Sequence, residues 1–275
     1  MRSWLFVPGH DRRKLNKALT SDAHVVLVDW EDGVPASQRG AAHELALDVL
    51  TRSHEPWPRL VIRTLSGSAD GFGDDLKVVE LLQARGARVG GVMLPKVESA
   101  AEVEEAGSLG LPLIASVESA FALESSPFLS AGGRAKLERL ALGSLDLLTD
   151  LGQSWDRQQP LLTYARARLA VLSRAAGLQA PIDGVFPPFN DLAGFEVDAL
   201  AARRLGFAGK MLVHPSQIGL ANSVFGPTES ELDRARRVLS AFEEAHGRGA
   251  SVAVLDGQMI DAPVVAWAQS IVESS

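Results

Sequence analysis

Acidic residues that could hold a metal ion follow two short apolar segments of the sequence. Glu118 comes directly after Leu113–Val117, and Asp146 lies three residues after Leu140–Gly143. Carboxylate oxygens are the ligands that Mg²⁺ prefers, and the ion usually keeps some water and takes further ligands from the substrate. Either carboxylate could instead cap the helix that follows it, because such side chains accept hydrogen bonds from helix N-termini.

Arg63 ends another apolar segment, Leu60–Arg63, and could bind an anionic group. A guanidinium can grip a carboxylate through two parallel hydrogen bonds. Asp29 and Glu31 offer an alternative, in which the arginine pairs with carboxylates of its own chain. The spacing alone does not separate these two interpretations.

Three carboxylates are crowded into the sequence Asp29-Trp-Glu31-Asp32, directly after an apolar segment. They could bind a metal themselves, or they could surround a site and hold Arg63 and Lys96 in place. We favour the supporting role, because too many carboxylates at the metal would repel an anionic substrate.

Lys96 raises a different chemistry, because a desolvated lysine can attack a carbonyl group and form a Schiff base. Its position also allows it to pair with the acidic cluster, which is the interpretation that we favour.

His214 could be a base, a substrate contact or a helix cap. Asp261 precedes a helix start at Pro263 and could cap it.

The elements that must position these residues are eight apolar segments separated by longer amphipathic stretches. Strands that alternate with helices predict a parallel sheet. The predicted strands are Trp4–Val7, Val25–Asp29, Leu60–Arg63, Gly91–Leu94, Leu113–Val117, Leu140–Gly143, Gly184–Phe186 and Met211–Val213. Eight units favour a closed (β/α)8 TIM barrel over an open doubly wound sheet, and no Gly-x-Gly-x-x-Gly motif follows the first strand.

Residues 1–226 are therefore predicted to form the barrel, and residues 227–275 a helical and extended C-terminal extension. Capping boxes mark helix starts in both parts, at Ser99-x-x-Glu102 and Thr228-x-x-Glu231. The extension is not needed to close a barrel. It could pack on its own barrel or reach a neighbouring subunit.

Composition excludes several classes of protein. The 27 basic and 34 acidic side chains give a net charge of −7, which disfavours nucleic-acid binding. The absence of cysteine excludes disulfides, thiolate metal sites and a cysteine nucleophile. No apolar run approaches the roughly 18 residues of a membrane span, and the start of the sequence does not read as a signal peptide. We expect a cytoplasmic protein without a membrane partner.

Eight stretches of the sequence, in this order, resemble the citrate lyase β-subunit-like (CitE-like) proteins of the HpcH/HpaI aldolase superfamily. They are Arg2-Ser-Trp-Leu-Phe-Val-Pro-Gly9, Asp29-Trp-Glu-Asp-Gly-Val34, Val92-Met-Leu-Pro-Lys-Val-Glu-Ser99, Gly143-Ser-Leu-Asp-Leu147, Ile182-Asp-Gly-Val185, Gly206-Phe-Ala-Gly-Lys210, Val213-His-Pro-Ser-Gln-Ile218 and Gly257-Gln-Met-Ile-Asp261. The resemblance spans nearly the whole chain.

This resemblance implies a barrel that binds a divalent metal, usually Mg²⁺ with Mn²⁺ as an alternative. The implied reaction cleaves or forms a carbon–carbon bond in a 3-hydroxyacyl-CoA thioester of the citryl-, malyl- or citramalyl-CoA type. Its products would be acetyl-CoA or a related acyl-CoA and a 2-keto acid such as oxaloacetate, glyoxylate or pyruvate. The implied partners are these small molecules and further copies of the chain, with a homotrimer favoured.

The resemblance also implies roles for particular residues. Glu118 and Asp146 match the metal ligands, and Glu118 and Arg63 would contact the substrate, with Arg63 gripping the keto-acid carboxylate. Asp261 matches a tail aspartate that enters a neighbouring subunit's active site and exchanges a proton with the acyl-CoA carbon. From the residues themselves, we expect Asp29, Glu31, Asp32 and Lys96 to support the site. Arg12, Arg13 and Lys14 could meet the CoA phosphates, but for these three residues we favour a solvated helix start.

Three other functions stay open at this point. The chain could be an aldolase for free pyruvate-type substrates, a citrate lyase subunit that acts on a carrier-protein thioester, or a non-catalytic barrel that binds a keto acid or thioester. The sequence departs from the usual family pattern at Thr64, Phe121-Ala122 and Leu145. We therefore expect the acyl pocket to differ from that of typical members.

Overall fold

The computed structural model describes residues 1–52, 57–130, 136–156, 159–247 and 249–273. The chain forms two compact units, Met1–Phe225 and Gly226–Ser275. In the first unit, eight parallel strands pair in sequence order, and the eighth pairs with the first, so the sheet is a closed barrel. Helices connect the strands, which confirms the predicted (β/α)8 TIM barrel.

The barrel strands are short, as expected for strands buried on both faces. They are β1 (Ser3–Pro8), β2 (Val25–Asp29), β3 (Arg59–Arg63), β4 (Val89–Leu94), β5 (Leu113–Val117), β6 (Leu137–Leu142), β7 (Gln179–Asp183) and β8 (Gly209–Leu212). The α-helices of this unit are α1 (Arg12–Leu19), α2 (Arg39–Leu50), α3 (Phe72–Ala84), α4 (Ala100–Gly107), α5 (Ala120–Ser125), α6 (Ser144–Asp150), α7 (Pro160–Ala175), α8 (Leu192–Arg204) and α9 (Ile218–Val224). Short 3-10 turns lie at Ala36–Gln38, Pro127–Leu129 and Pro215–Gln217.

Apolar side chains from all eight strands fill the inside of the barrel. This inner cluster consists of Trp4, Val25, Leu27, Val61, Met93, Ile114, Ala141, Ile182 and Met211. The alternate residues of the same strands point outward into a larger core shared with the helices. The alternation follows from the two-residue period of a strand, and it leaves the strand ends free to carry polar side chains.

The seventh strand lies earlier in the chain than the sequence pattern predicted. The prediction chose Gly184–Phe186, whereas the strand is Gln179–Asp183. Its first two residues are exposed and it contains Pro181, so its apolar pattern is weak. The backbone pairing of Ile182 with Gly209 on β8 defines the strand.

Behind β7 and β8, four charged side chains form a buried network with α7 and α8. Arg166 on α7 donates to Asp183 at 2.8 Å, and it also contacts Asp198 on α8 at 2.8 Å. Lys210, which is fully buried, pairs with both carboxylates, at 2.7 Å for Asp198. Two positive and two negative charges balance, which is the condition for burying ions without a large penalty. The motif residues Asp183 and Lys210 thus join strands to helices.

The second unit consists of two helices and a β-hairpin. Helix α10 (Glu229–Gly247) is followed by β9 (Ala253–Leu255), β10 (Gln258–Ile260) and α11 (Ala262–Glu273). The turn between the two antiparallel strands has positive φ at Asp256 and Gly257, as an Asp-Gly hairpin turn requires. This unit has a small apolar core of its own.

The predicted capping box is complete at Thr228-x-x-Glu231, whereas at Ser99-x-x-Glu102 the carboxylate accepts from the N–H of Glu98, at 3.3 Å, instead of that of Ser99. Ser99 Oγ donates to Glu102 at 2.8 Å and accepts from its backbone N–H at 3.4 Å. Thr228 Oγ1 accepts from the N–H of Glu231 at 3.1 Å, and the Glu231 carboxylate accepts from the Thr228 N–H at 2.8 Å. These exchanges satisfy N–H groups that a helix start leaves unpaired.

In the described part of the chain, no helix is both long enough and apolar enough to cross a bilayer.

Candidate active site at the mouth of the barrel

A cavity of about 680 Å³ opens where the strands of the barrel end. Three residues that the sequence predicted for a site, Arg63, Glu118 and Asp146, line it together, and so do Asp29 and Asp32. The remaining wall is largely apolar. Polar groups that converge in an apolar cavity at this end of a (β/α)8 barrel define the natural place for a ligand.

Arg63 is held firmly by the acidic cluster. Its Nε and Nη2 atoms donate to the two oxygens of Asp29 at 2.7 and 2.8 Å, and Nη1 lies 2.7 Å from Glu31. The guanidinium also stacks over the ring of Phe6, 4.8 Å from its centroid. Burial alone would lower the pKa of Arg63, but the hydrogen bonds and charges of these carboxylates raise it above its usual value. The arginine therefore pairs with its own chain and still lines the cavity.

Lys96 is a partner of the acidic cluster, as the favoured interpretation expected. Its ammonium group contacts Glu31 and lies 3.4 Å from Asp32. Burial works to lower the pKa of Lys96, but the Glu31 hydrogen bond and the surrounding carboxylates raise it above its ordinary range. A Schiff-base lysine needs a lowered pKa, so this environment argues against that chemistry. Lys96 and Glu31 are not among the described residues that line the cavity.

Glu118 carries a buried carboxylate oxygen, Oε2, without a hydrogen-bond partner among the described residues. Burial, aided by the negative charges of Asp146 and Glu31, raises the pKa of Glu118 to about 7, against a hydrogen bond from Ser116 that lowers it. Gly143 makes room for this side chain, because a Cβ there would lie 2.2 Å from Glu118 Cγ. A buried carboxylate oxygen without a partner lowers stability, and a nearby cation would remove that effect.

Neither Glu118 nor Asp146 is the cap of the helix that follows. Ser119 caps α5, since its Oγ accepts from the N–H of Ala122 at 3.1 Å. Helix α6 begins after Gly143 without a side-chain cap, and Asp146 lies inside its first turn. The capping interpretation is therefore wrong for both residues.

These two carboxylates fit a magnesium ion better than a fully protein-bound metal. Within the described ranges, no group of three or more His, Cys, Asp or Glu side chains is placed to hold a metal ion. Mg²⁺ commonly takes only one or two carboxylates from the protein and completes its shell with water and substrate oxygens. The unpaired oxygen of Glu118 and the oxygen-only donor set agree with that preference.

The loop that follows Arg63 is anchored by a pair that the sequence analysis missed. Asp75, on α3, accepts from the N–H of Leu65 at 2.8 Å through one oxygen and contacts Nε2 of His43 at 2.7 Å through the other. Thr64 is fully buried beside it. The sequence offers no sign of this link, because Asp75 resembles any acidic residue in the first turn of a helix.

His214 is a structural cap that also lines the cavity. Its Nδ1 accepts from the N–H of Ser216 at 3.2 Å, and its ring stacks on Phe189 at 4.9 Å between centroids. The carboxamide of Gln217 accepts from the N–H of Val213 at 3.1 Å. The capping interpretation is thus confirmed.

Exposed basic side chains of α1 lie at the rim of the cavity. Arg13 and Lys14 are among the residues that line it, as is Lys17, which the sequence analysis missed although its spacing places it on the same helix face. Arg12 instead pairs with Asp48 at 2.5 Å. Three cations at the rim offer positive charge to an anionic ligand.

Asp261 belongs to the second unit, where it precedes α11. Its Oδ1 lies 3.4 Å from the N–H of Val264, and its carbonyl oxygen accepts from the N–H of Val265 at 3.0 Å. A capping role is therefore present. Its predicted role in a neighbouring subunit's site stays a prediction.

A closed (β/α)8 barrel that gathers carboxylates and an arginine at its mouth has the layout of a barrel enzyme. The chain belongs to the HpcH/HpaI aldolase/citrate lyase family, whose model matches residues 2–215. This finding confirms the resemblance drawn from the sequence motifs.

Curated relatives of this chain include a citrate lyase subunit beta-like protein and a thioesterase. A citrate lyase subunit beta-like protein of Deinococcus radiodurans is 32% identical over 286 residues, which cover 98% of this chain and 96% of the relative. A (3S)-malyl-CoA thioesterase of Cereibacter sphaeroides is 32% identical over 263 residues, which cover 94% of this chain and 89% of the relative. The family thus includes enzymes with different reactions.

Among solved structures, CitE from Mycobacterium tuberculosis superposes with a TM-score of 0.81 at 29% identity, covering 99% of this chain and 97% of that one. That protein was crystallised with magnesium, acetoacetate and coenzyme A.

Proposed function

We propose that this protein is a Mg²⁺-dependent carbon–carbon lyase that acts on a 3-hydroxyacyl-CoA thioester of the citryl-, malyl- or citramalyl-CoA type. The observation that carries the proposal is the buried, unpaired oxygen of Glu118, which lies in one cavity with Asp146 and Arg63. The magnesium and coenzyme A in the Mycobacterium tuberculosis relative support the choice of metal and substrate class.

Glu118 and Asp146 would hold the metal ion, with Mn²⁺ as an alternative to Mg²⁺. When bound, the ion would supply Lewis-acid polarisation of a substrate oxygen, which contributes several kcal/mol in such sites. The remaining ligands would come from water and from the keto-acid half of the substrate.

Arg63 would bind the carboxylate of the keto-acid half. Asp29 fixes the guanidinium with two hydrogen bonds, and Phe6 supports its face. Glu31, Asp32 and Lys96 surround it and set its charge environment. An arginine that is already oriented loses little entropy when the substrate binds.

Cleavage breaks the bond between the carbinol carbon and the carbon next to the thioester. The hydroxyl group on the carbinol carbon loses its proton to solvent water and becomes the keto group, while the electron pair of the broken bond passes to the carbon next to the thioester. A carboxylic acid must then supply a proton to that carbon. We assign this proton transfer to Asp261 of a neighbouring subunit in a homo-oligomer, for which we favour a trimer. The rim cations of α1, at Arg13, Lys14 and Lys17, would meet the phosphates of CoA.

A thioester-cleavage assay tests the proposal. Citryl-, malyl- and citramalyl-CoA would be supplied separately, with Mg²⁺ and with EDTA, and the released keto acid measured. We expect metal-dependent release of keto acid and acyl-CoA from one of them. If a folded protein releases no keto acid from any thioester, the lyase assignment is wrong.

The Cereibacter sphaeroides relative supports a second candidate, a thioesterase that acts on malyl-CoA. A thioesterase releases free CoA thiol and an intact hydroxy acid, whereas a lyase leaves the thioester bond in acetyl-CoA. A thiol reagent added to the same assay separates the two reactions. Turnover of a carrier-protein thioester or of pyruvate with an aldehyde, or binding without turnover, would point to the remaining alternatives.

A further inference from the structure

Ser144 has a buried hydroxyl group that finds no hydrogen-bond partner among the described residues. The residue is 3% exposed and is the first residue of α6, between Gly143 and the proposed metal ligand Asp146. Buried hydroxyl groups in folded proteins are normally paired, and an unpaired one costs stability. An exception in a cavity wall therefore needs an explanation.

A glycine directly after β7 leaves space for this hydroxyl group. A Cβ on Gly184 would lie 2.3 Å from Ser144 Oγ. Gly143 likewise leaves space for Glu118, because a Cβ on Gly143 would lie 2.2 Å from Glu118 Cγ. Two glycines thus keep clear two neighbouring polar groups, and the atoms Glu118 Oε2 and Ser144 Oγ are both buried, unpaired and part of residues that line the cavity.

The depth of Ser144 indicates which part of a ligand it would meet. The rim cations Arg13, Lys14 and Lys17 are exposed, which suits the large, charged end of a CoA thioester. Ser144 is buried two residues before Asp146, where a small group rich in oxygen atoms would meet both side chains. Glu118 and Asp146 can only accept hydrogen bonds when they are ionised, so the hydroxyl places a hydrogen-bond donor beside two acceptors.

We propose that Ser144 Oγ–H donates a hydrogen bond to an oxygen of the bound 2-keto acid and so helps to select that half of the substrate. This inference rests on the proposed function, since it assumes that a keto acid binds beside Glu118 and Asp146. In the ligand-free protein the unpaired hydroxyl lowers the stability of the fold. A bound ligand removes this effect by supplying the missing acceptor.

The test compares Ser144→Ala with Ser173→Ala. Ser173 is a matched control, because it is 1% exposed, its Oγ also lacks a partner among the described residues, and it lies on α7 outside the cavity lining. Calorimetry would measure the binding of pyruvate in saturating Mg²⁺. We expect the Kd of pyruvate to rise about tenfold in Ser144→Ala, as loss of a hydrogen bond to a charged ligand predicts, and to stay unchanged in Ser173→Ala.

Two further measurements distinguish substrate contact from a structural role. The Kd of Mg²⁺ without pyruvate should be the same in wild type and Ser144→Ala. The melting temperature of Ser144→Ala should match or exceed that of wild type, because no intramolecular hydrogen bond is lost. An unchanged Kd for pyruvate, or a melting temperature lowered by several degrees, would overturn the inference. If wild type itself binds no pyruvate in the presence of Mg²⁺, the proposed function fails first, which is a separate result.

Discussion

At the scale of single residues, Glu118 combines burial, an unpaired oxygen and an adjacent carboxylate. Burial, together with the negative charges of Asp146 and Glu31, disfavours the ionised side chain and raises its pKa to about 7. A protein keeps such an arrangement at a cost in stability, and strongly perturbed carboxylates in clefts mark candidate functional sites. A cation bound at this position would stabilise the ionised carboxylate, and this stabilisation would contribute to the free energy of binding the cation.

The variant Glu118→Gln tests this view. We expect the affinity for Mg²⁺ to fall by more than about 100-fold, because a metal-ligating carboxylate is lost where even supporting residues cost 10–100-fold. The metal-free variant should be no less stable than wild type, since a neutral amide replaces a carboxylate that burial disfavours. Calorimetric Mg²⁺ titration and thermal melting measure the two effects.

Glu105→Gln provides the control for that variant. Glu105 is exposed on α4, so the same change of charge should leave the Mg²⁺ affinity unaltered. Retention of Mg²⁺ binding in Glu118→Gln would contradict the metal assignment, whatever its effect on turnover.

At the scale of secondary-structure elements, the buried network of Arg166, Asp183, Asp198 and Lys210 joins β7 and β8 to α7 and α8. Burial alone would raise the pKa of Asp198, but the charges of Lys210 and Arg166 outweigh it and hold the pKa below its usual value. The charged form of Asp198 therefore stabilises the fold above about pH 4, the range where an unfolded aspartate is also ionised. This contribution is lost as the pH falls through the folded-state pKa.

We expect Asp198→Asn to lower the free energy of unfolding by about 3 kcal/mol at pH 7, because it leaves a buried positive charge undercompensated. The difference from wild type should shrink as the pH falls below about 4. Urea unfolding at several pH values measures both. The exposed Asp233→Asn on α10 serves as control and should change stability by less than about 0.5 kcal/mol. A difference that persists unchanged in acid would contradict the proposed role of the Asp198 charge.

The elements differ in how well the sequence could predict them. Strand β5 is fully buried and apolar except for Ser116, and it matches the prediction at both ends. Strand β7 begins with exposed residues and contains Pro181, so its position depends on pairing with its neighbours, which periodicity does not encode. The site residues also differ in how well the sequence could predict them. The sequence predicted the charged residues at strand ends. The unpaired hydroxyl of Ser144 and the hydrogen bond between Asp75 and Leu65 arise only from tertiary packing.

At the scale of the whole molecule, the proposed use of Asp261 predicts that one active site is built from two chains. The barrel of one subunit would supply Asp146, and the extension of its neighbour would supply Asp261. Each of the variants Asp146→Asn and Asp261→Asn should then be inactive alone, while Asp261→Asn should still bind the keto acid.

Coexpression of these two variants, carrying different tags, tests the arrangement. Purified mixed trimers should regain about one third of wild-type activity, because every mixed head-to-tail ring of three joins an intact barrel to an intact extension at one of its three sites. Mixed oligomers of Asp146→Asn with Glu118→Gln serve as the control and should stay inactive, since both changes affect the barrel. No recovery in verified mixed oligomers would show that Asp261 does not act between subunits.

The pairing of the first strand with the last has a consequence for how the protein is made. Ser3, Trp4 and Leu5 on β1 pair with Lys210, Met211 and Leu212 on β8. During synthesis, β1 acquires its β2 neighbour within about 20 residues, but β8 follows only after about 200 residues, or about 10–40 s at ordinary rates of translation. For that time one apolar strand edge stays open to pairing with other chains. We therefore expect the yield of native protein to depend on chaperones that bind the nascent chain.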